Sequence, residues 1–361
     1  MHVGENCGEP GERVNIGHDR TGEESDQSVR DRIQRPLRDL RISLTDRCNF
    51  RCRYCMPKEV FGPNFAFLPS NHLLTFEEIT RLVKLFKEEG VRKIRLTGGE
   101  PLLRKGIDEL VSSISQLGVD DIALTTNGSM LTNKMARRLK DAGLHRVTIS
   151  LDSLDNDAFM AMNDVRFPVS KVLDAIHVAT NVGLSPVKIN MVVKRGWNEQ
   201  SILAMANYFR GTGCVLRFIE YMDVGNSNGW NMNEVVMADE IISVIHSVWP
   251  LRRKPPKYVG EVAQRYEYLD GQGEIGVVAS VTRAFCGACT RARLSSEGRL
   301  YTCLFASKGH DLRSMLRSGA SDSELRSFIS RVWLNRDDRY SELRSALSVR
   351  KNKVEMSHIG G

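Results

Sequence analysis

The sequence predicts an α/β fold with a parallel sheet flanked by helices. Strand-like and helix-like segments alternate about six times between residues 37 and 250, with no long β-only run, and that alternation makes successive strands parallel with the helices as crossovers. After Pro250 the pattern changes to short strand-like runs, which predicts a small appended α+β domain. Six units make either an open doubly wound sheet or an incomplete barrel, and periodicity alone does not separate them.

The elements follow in order. Residues 1–35 are rich in Gly, Glu, Asp, Ser and Arg and poor in large apolar side chains, so they read as a disordered extension. Order begins at Leu37–Leu44, which alternates like a strand. Thr75 and Glu78 form a capping box, and Phe76, Ile79, Val83 and Phe86 continue as a helical stripe ended by Gly90. Strands are expected at 93–97, 121–126, 146–151, 186–193 and 214–221, and helices near 107–117, 131–142, 170–182, 198–211 and 238–248. The barrel region is 36–250; a second domain at 251–340 carries strand-like runs at Tyr266–Leu269 and Ile275–Ala279 and helices near 311–317 and 321–333. A polar tail, 341–361, ends in Gly360-Gly361.

Composition narrows the class. Hydrophobic residues make up 41% and charged residues 26% of the 361, an ordinary globular balance. No run reaches the length of a membrane span and the N-terminus lacks an apolar leader core, so a cytoplasmic protein without a membrane partner is expected. The formal charge of +7 suits an anionic partner or simple solubility. No aromatic–basic signature for RNA accompanies it, so no nucleic-acid partner is expected.

The eight cysteines are not a disulfide framework. Cys48, Cys52 and Cys55 form one tight set, Cys286, Cys289 and Cys303 another, while Cys7 and Cys214 stand apart. Clustering of this kind points to metal or redox chemistry. The first set, CxxxCxxC, follows the first strand. A structural zinc site wants four ligands, and His72 is the nearest His downstream; a catalytic thiol needs one activated cysteine; an iron–sulfur cluster is usually held by four thiolates, so three leave one iron open. Spacing favours a cluster over zinc. The second set again counts three, with His310 as a fourth zinc ligand in one reading and a second open cluster in the other.

CxxxCxxC with Tyr54 before its last cysteine, followed by Thr97-Gly98-Gly99-Glu100-Pro101, resembles the radical S-adenosylmethionine superfamily. The second set, with Cys286–Leu294, Thr302–Phe305, Gly309–Arg313 and the terminal Gly-Gly, resembles the GTP 3′,8-cyclases within it, over about residues 37–361. The resemblance implies an incomplete (βα)6 TIM-like barrel with a small C-terminal α+β iron–sulfur domain. It implies a lyase carrying two 4Fe-4S clusters, each on one cysteine set, with S-adenosylmethionine chelated to the open iron of the first. Reductive cleavage would give a radical that takes the ribose 3′ hydrogen of GTP; the carbon radical attacks C8, giving (8S)-3′,8-cyclo-7,8-dihydro-GTP, the first step of molybdenum cofactor biosynthesis. Tyr54, Gly99, Glu100, Ser150 and Met222 match S-adenosylmethionine positions, with Glu100 suited to its ammonium. Arg41, Arg95, Thr125, Lys188, Arg291 and Arg293 match GTP positions, and Lys93 is a weaker phosphate contact. Arg41, Arg291, Arg293, Gly360 and Gly361 are the expected catalytic set.

A downstream cyclic pyranopterin monophosphate synthase and an electron donor are implied partners, and a homodimer is left open. A radical enzyme of this superfamily acting on a peptide or RNA is the alternative. Gly271–Gly276 spells G-x-G-x-x-G, but a strand-like run follows it where a dinucleotide fingerprint needs a helix, so it reads as a hairpin turn.

Overall fold

The computed structural model of the chain describes residues 28–344 and 353–361. Six βα units run β1 (Asp39–Ser43), α1 (Phe76–Glu88), β2 (Lys93–Thr97), α2 (Ile107–Gln116), β3 (Asp121–Thr126), α3 (Asn133–Asp141), β4 (Arg146–Ser150), α4 (Asn156–Asn163), α5 (Val169–Val182), β5 (Lys188–Val193), α6 (Ile202–Phe209), β6 (Val215–Glu220) and α7 (Ala238–His246). The C-terminal part adds β7 (Leu251–Lys254), β8 (Gln264–Tyr268), β9 (Glu274–Val278), β10 (Arg291–Leu294), β11 (Arg299–Tyr301), β12 (His310–Asp311), α8 (Arg313–Arg317), α9 (Asp322–Leu334), α10 (Tyr340–Leu343) and α11 (Met356–Ile359). The capping box at Thr75 and Glu78 starts α1, with the Thr75 hydroxyl accepting from Glu78 N–H and the Glu78 carboxylate accepting from Thr75 N–H. None of the described helices is long and apolar enough to cross a membrane.

Strands β1 to β6 are parallel and adjacent in order, which makes the sheet an unclosed TIM-like barrel. The alternation of side chains explains what each face does. Leu40, Ile42, Ile94, Leu96, Ile122, Leu124, Val147, Ile149 and Ile189 share one parity; all are buried in the main apolar core with Leu82, Phe86, Leu110, Ile114 and Leu139 of the surrounding helices. The other parity carries Asp39, Arg41, Lys93, Arg95, Thr125, Lys188, Asn190 and Arg217, which line the concave interior. A TIM barrel normally fills that space with branched apolar residues. A polar interior therefore marks a site and not a core.

The strands of 251–340 join the barrel sheet. Strand β10 pairs parallel with β1 and β9 pairs parallel with β6, and β11–β12 and β8–β7 continue outward antiparallel. The C-terminal region therefore extends both edges of the barrel sheet. The G-x-G-x-x-G stretch is the turn between β8 and β9, as its sequence context predicted.

The N-terminal boundary also moves. Residues 1–27 lie outside the described residues, but within 28–35 Ser28, Asp31 and Arg35 are buried. Asp31 is buried, accepting from Arg35 Nε at 2.5 Å and from Arg336 at 3.3 Å. Arg35 then donates to the carbonyls of Cys286 (2.7 Å) and Asp338 (2.8 Å), and Arg336 to that of Cys289 (2.7 Å). One acidic residue, followed four positions later by an arginine, thus laces the chain start to the second cysteine loop.

Candidate active site

The C-terminal ends of the parallel strands open into one cavity. All the predicted site residues line it except Glu100 and Gly360. The first cysteine loop leaves β1 and is held by its own polar atoms. Arg51 donates to the carbonyls of Cys48 (2.7 Å), Phe50 (2.8 Å) and Phe61 (2.7 Å). The end of α4, a helix the sequence reading passed over, accepts from the loop: Met162 O from Arg53 N–H and Asn163 O from Arg51 N–H. The last carbonyls of a helix lack partners within it.

Cys48, Cys52 and Cys55 are free thiols. Burial, with Glu100 nearby, pushes Cys48 up to about 12, and burial also raises Cys52 and Cys55. Such thiols stay neutral until a metal takes the proton's place. Among the described residues, no three His, Cys, Asp or Glu side chains meet as ligands of one ion. Each thiolate on a four-iron cluster serves its own iron, so three need only surround a space. His72 is exposed in a short turn and does not line the cavity. The donor set fits an open four-iron cluster.

Next to it, the turn after β2 brings backbone to backbone. A Cβ on Gly99 would lie 2.2 Å from the carbonyl oxygen of Arg47, and Gly99 N–H donates to Thr45 O at 2.7 Å, so only glycine fits. Glu100 lies behind this turn. It is fully buried and both carboxylate oxygens are committed, Oε1 to Leu102 N–H (3.0 Å) and the Thr126 hydroxyl (2.8 Å), Oε2 to Asn127 N–H (2.8 Å). Burial lifts it to about 7 against those donors. It ties the turn to the end of β3 and is not among the residues that line the cavity. Tyr54 donates its hydroxyl to Asp152 at 2.9 Å, and Asp152 also accepts from Val192 N–H at 3.0 Å.

The charged rows are set by strand register. In the lower row Arg291, Asp39, Lys93 and Asp121 stand side by side on β10, β1, β2 and β3, with alternating sign. Lys93 Nζ lies 3.6 Å from Asp39 and 3.8 Å from Asp121, so this row largely neutralises itself. One step toward the mouth, the row is Arg293, Arg41, Arg95. Three guanidiniums on neighbouring strands have no carboxylate between them. Burial, then Arg293 and Arg95, lowers Arg41; burial and Arg291 lower Arg293 to about 10. Thr125 and Thr148 accept from Arg95 at 2.9 and 3.2 Å and aim it. Lys188 sits in the next row, and burial, then Arg217, pushes it down to about 6. Ser150 shares the row above with Asn190 and Arg217.

Arg217 was not singled out from the sequence. It lines the cavity, and burial and Arg95 lower it to about 9. Its signal was present: Val215, Arg217 and Ile219 share the inward parity that Lys188 and Asn190 have on β5.

Cys286 and Cys289 flank a short turn after β9, and Cys303 follows β11; all three are free. Arg291 reaches the Cys289 sulfur at 3.2 Å. Burial would raise Cys289, but Arg291 and Arg336 outweigh it and bring it to about 6; burial and Asp338 push Cys303 up to about 12. His310 lies exposed on the edge strand β12 and lines no part of the cavity, so it does not complete a zinc site. The donors again number three and fit a second open cluster.

The chain end reaches the same cavity. Arg293 donates to the Gly360 carbonyl, and Gly361 lines the cavity with Met222 and Met356. Gly360 has φ +77, and a Cβ there would lie 2.3 Å from the Thr97 side-chain methyl.

Comparison with known proteins agrees with this geometry. Residues 42–209 match the family model described as the radical SAM superfamily, and residues 214–342 match the one described as Molybdenum Cofactor Synthesis C. Proteins named GTP 3′,8-cyclase include one from Acidothermus cellulolyticus, 53% identical over 93% of this chain and 99% of its own, and one from Staphylococcus haemolyticus, 46% identical over 92% and 99%. The crystal structure of Streptococcus suis SuiB bound to its precursor peptide SuiA superposes with a TM-score of 0.58 at 14% identity, covering 87% of this chain and 67% of that one, a likeness of fold. With nearly full-length identity to relatives of that name and both family matches in place, the chain belongs to the GTP 3′,8-cyclase family of radical S-adenosylmethionine enzymes.

Proposed function

We propose that this cavity is the single site at which the chain cyclises GTP, joining C3′ of the ribose to C8 of the base in the first step of molybdenum cofactor biosynthesis. The row Arg293–Arg41–Arg95, lining the same cavity as both cysteine trios, is the observation that carries the placement. Three guanidiniums sharing one buried row repel one another and need a polyanion, and a triphosphate supplies dense negative charge with oxygens that match paired N–H donors.

Cys48, Cys52 and Cys55 would hold the first four-iron cluster, and Cys286, Cys289 and Cys303 the second. With S-adenosylmethionine bound, these groups would supply one-electron cleavage and hydrogen abstraction, and a second cluster with an open iron. The chain's own residues do the rest. The Gly98-Gly99 turn, Ser150 and Met222 shape the space for the methionine moiety. Tyr54, fixed by Asp152, forms its wall. Arg41, Arg95, Lys188 and Arg217 receive the phosphates, with Thr125 and Thr148 orienting Arg95. Arg291 stands at the second trio, where it keeps Cys289 anionic. Gly361 lines the cavity at the chain end, with the Gly360 carbonyl held by Arg293. The product passes to a cyclic pyranopterin monophosphate synthase, and a one-electron donor serves the first trio.

Anaerobically reconstituted enzyme given S-adenosylmethionine and a reductant should form 5′-deoxyadenosine and cyclised nucleotide in step, and only when GTP is present. Turnover on a peptide or an RNA with none on GTP would refute the reading.

A further inference from the structure

The loop after β6 holds a carboxylate that the cavity does not use. Asp223 follows Met222 by one residue, is buried, and does not line the cavity. Its Oδ2 accepts from Lys353 Nζ at 2.8 Å and from the Tyr340 hydroxyl at 2.6 Å. Its backbone carbonyl accepts from the same ammonium at 2.6 Å, and its Oδ1 lies 2.8 Å from Arg344. Lys353 is buried too, with Nζ 4.9 Å from the centre of the Tyr340 ring, which stacks on Phe305.

The same loop grips the next residues of the chain end. Asn226 Oδ1 accepts from Lys353 N–H at 3.0 Å, Asn226 N–H donates to Glu355 at 2.9 Å, and the Ser227 hydroxyl donates to the other Glu355 oxygen at 2.9 Å. Val354 N–H donates to Ala306 O at 3.0 Å. From there α11 leads to Gly360, whose carbonyl meets Arg293. The segment Lys353–Gly361 is therefore fastened at its start by the charged pair and by the contacts of Val354 and Glu355, further along by His358 against Glu297, and at its end by the Gly360 carbonyl on Arg293.

We propose that Asp223 is the positioning residue that seats Lys353–Gly361 in the active site, and that Lys353 is the group it reads. A buried ammonium is costly without its partner, and so is a buried carboxylate. The seated arrangement is therefore favourable only with both charges in contact, which fixes the register of the whole segment and delivers Gly360 to Arg293 and Thr97. Asn228 extends the effect, since its amide donates to the carbonyls of Met222 (2.9 Å) and Tyr54 (3.4 Å), and so ties this loop to the first cysteine loop. The inference rests on the reading that Gly360 and Gly361 serve the cyclisation.

Hydrogen–deuterium exchange on the full-length reconstituted enzyme tests it. Lys353→Met should speed exchange across 353–361 by about tenfold or more, because local opening sets those rates. Product should fall while 5′-deoxyadenosine release, iron content and melting temperature hold; Lys353→Arg should recover part of both losses. Native exchange across 353–361 in Lys353→Met would overturn the proposal, and so would loss of iron or global unfolding in that variant, which would give Lys353 a general structural role. Deleting Gly360 and Gly361 separates the two readings. That variant should keep slow exchange at Val354 and lose product; if it kept full activity, the role given to the glycines would fail while the seat at Asp223 stood.

Discussion

Replacing Gly360 by alanine tests the packing of the chain end against a specific atom. Gly360 has φ +77 and ψ 119, a combination that residues with a Cβ rarely adopt, and the new Cβ would stand 2.3 Å from the Thr97 methyl. Holding a non-glycine residue in a sparsely populated backbone region costs about 1–3 kcal/mol. By that cost alone the seated population falls about 5- to 150-fold, at 1.4 kcal/mol per factor of ten. The overlap with Thr97 adds to it, since neither the strand end nor the turn after it can withdraw by an ångström without breaking sheet bonds. The assay is cyclised nucleotide against 5′-deoxyadenosine in one reaction. Product should drop by at least that factor while both clusters assemble and GTP binds. Thr97→Ser removes only the clashing methyl, so Gly360→Ala combined with Thr97→Ser should regain the steric part of the loss and keep the backbone part. Gly361→Ala should be milder, because its Cβ would meet the flexible end of Met356 at 3.1 Å. Native product formation by Gly360→Ala, or no recovery in the double variant, would refute the reasoning.

Other consequences follow from the charged rows and the thiols. Lys188, at about 6 in the free site, is mostly neutral at pH 7.5, and a bound triphosphate raises it; binding therefore takes up a proton above pH 6, and affinity weakens as pH rises until the bound-state value is passed. Calorimetry in buffers of different ionisation enthalpy should show that uptake, and Lys188→Met should abolish its share of it. Arg41→Gln relieves the like-charge row, so the unliganded protein should melt no lower than native, while GTP affinity falls about ten- to a hundredfold for a lost charged hydrogen bond; equilibrium binding and a melting curve check both halves. Iron and sulfide analysis should give about eight irons per native chain and about four in Cys303→Ala, from two independent four-iron clusters; zinc in place of iron at the second trio would contradict this.

Much of the site was legible because its parts sit on regular elements. The six βα repeats placed Arg41, Arg95, Thr125, Ser150 and Lys188 on the parallel strands, and both cysteine trios were visible as spacing. What stayed hidden depends on contacts between distant parts of the chain. Four residues, Arg291–Leu294, form β10 only because β1 offers an open edge, and nothing local in that stretch shows that Arg293 will stand beside Arg41. The contacts of Glu100 were not legible either, because a motif gives a residue type and not its rotamer; the N–H groups of Leu102 and Asn127 donate to it. Asp31 and Arg35 lie in a polar stretch that composition assigns to disorder, yet Arg336 and the carbonyls near Cys286 and Cys289 give them partners. Lys353 reads as surface charge until Asp223 is seen beneath it.

The central claim is that one cavity brings the two cysteine trios and a triphosphate-binding row to bear on a single GTP. Transfer of deuterium from [3′-²H]GTP tests it most directly. The account predicts deuterium in the 5′-deoxyadenosine released during turnover, with the transfer lost when Arg41 and Arg95 are both replaced by glutamine and both clusters remain. Unlabelled 5′-deoxyadenosine formed alongside cyclised product, or transfer undiminished by that double replacement, would contradict it.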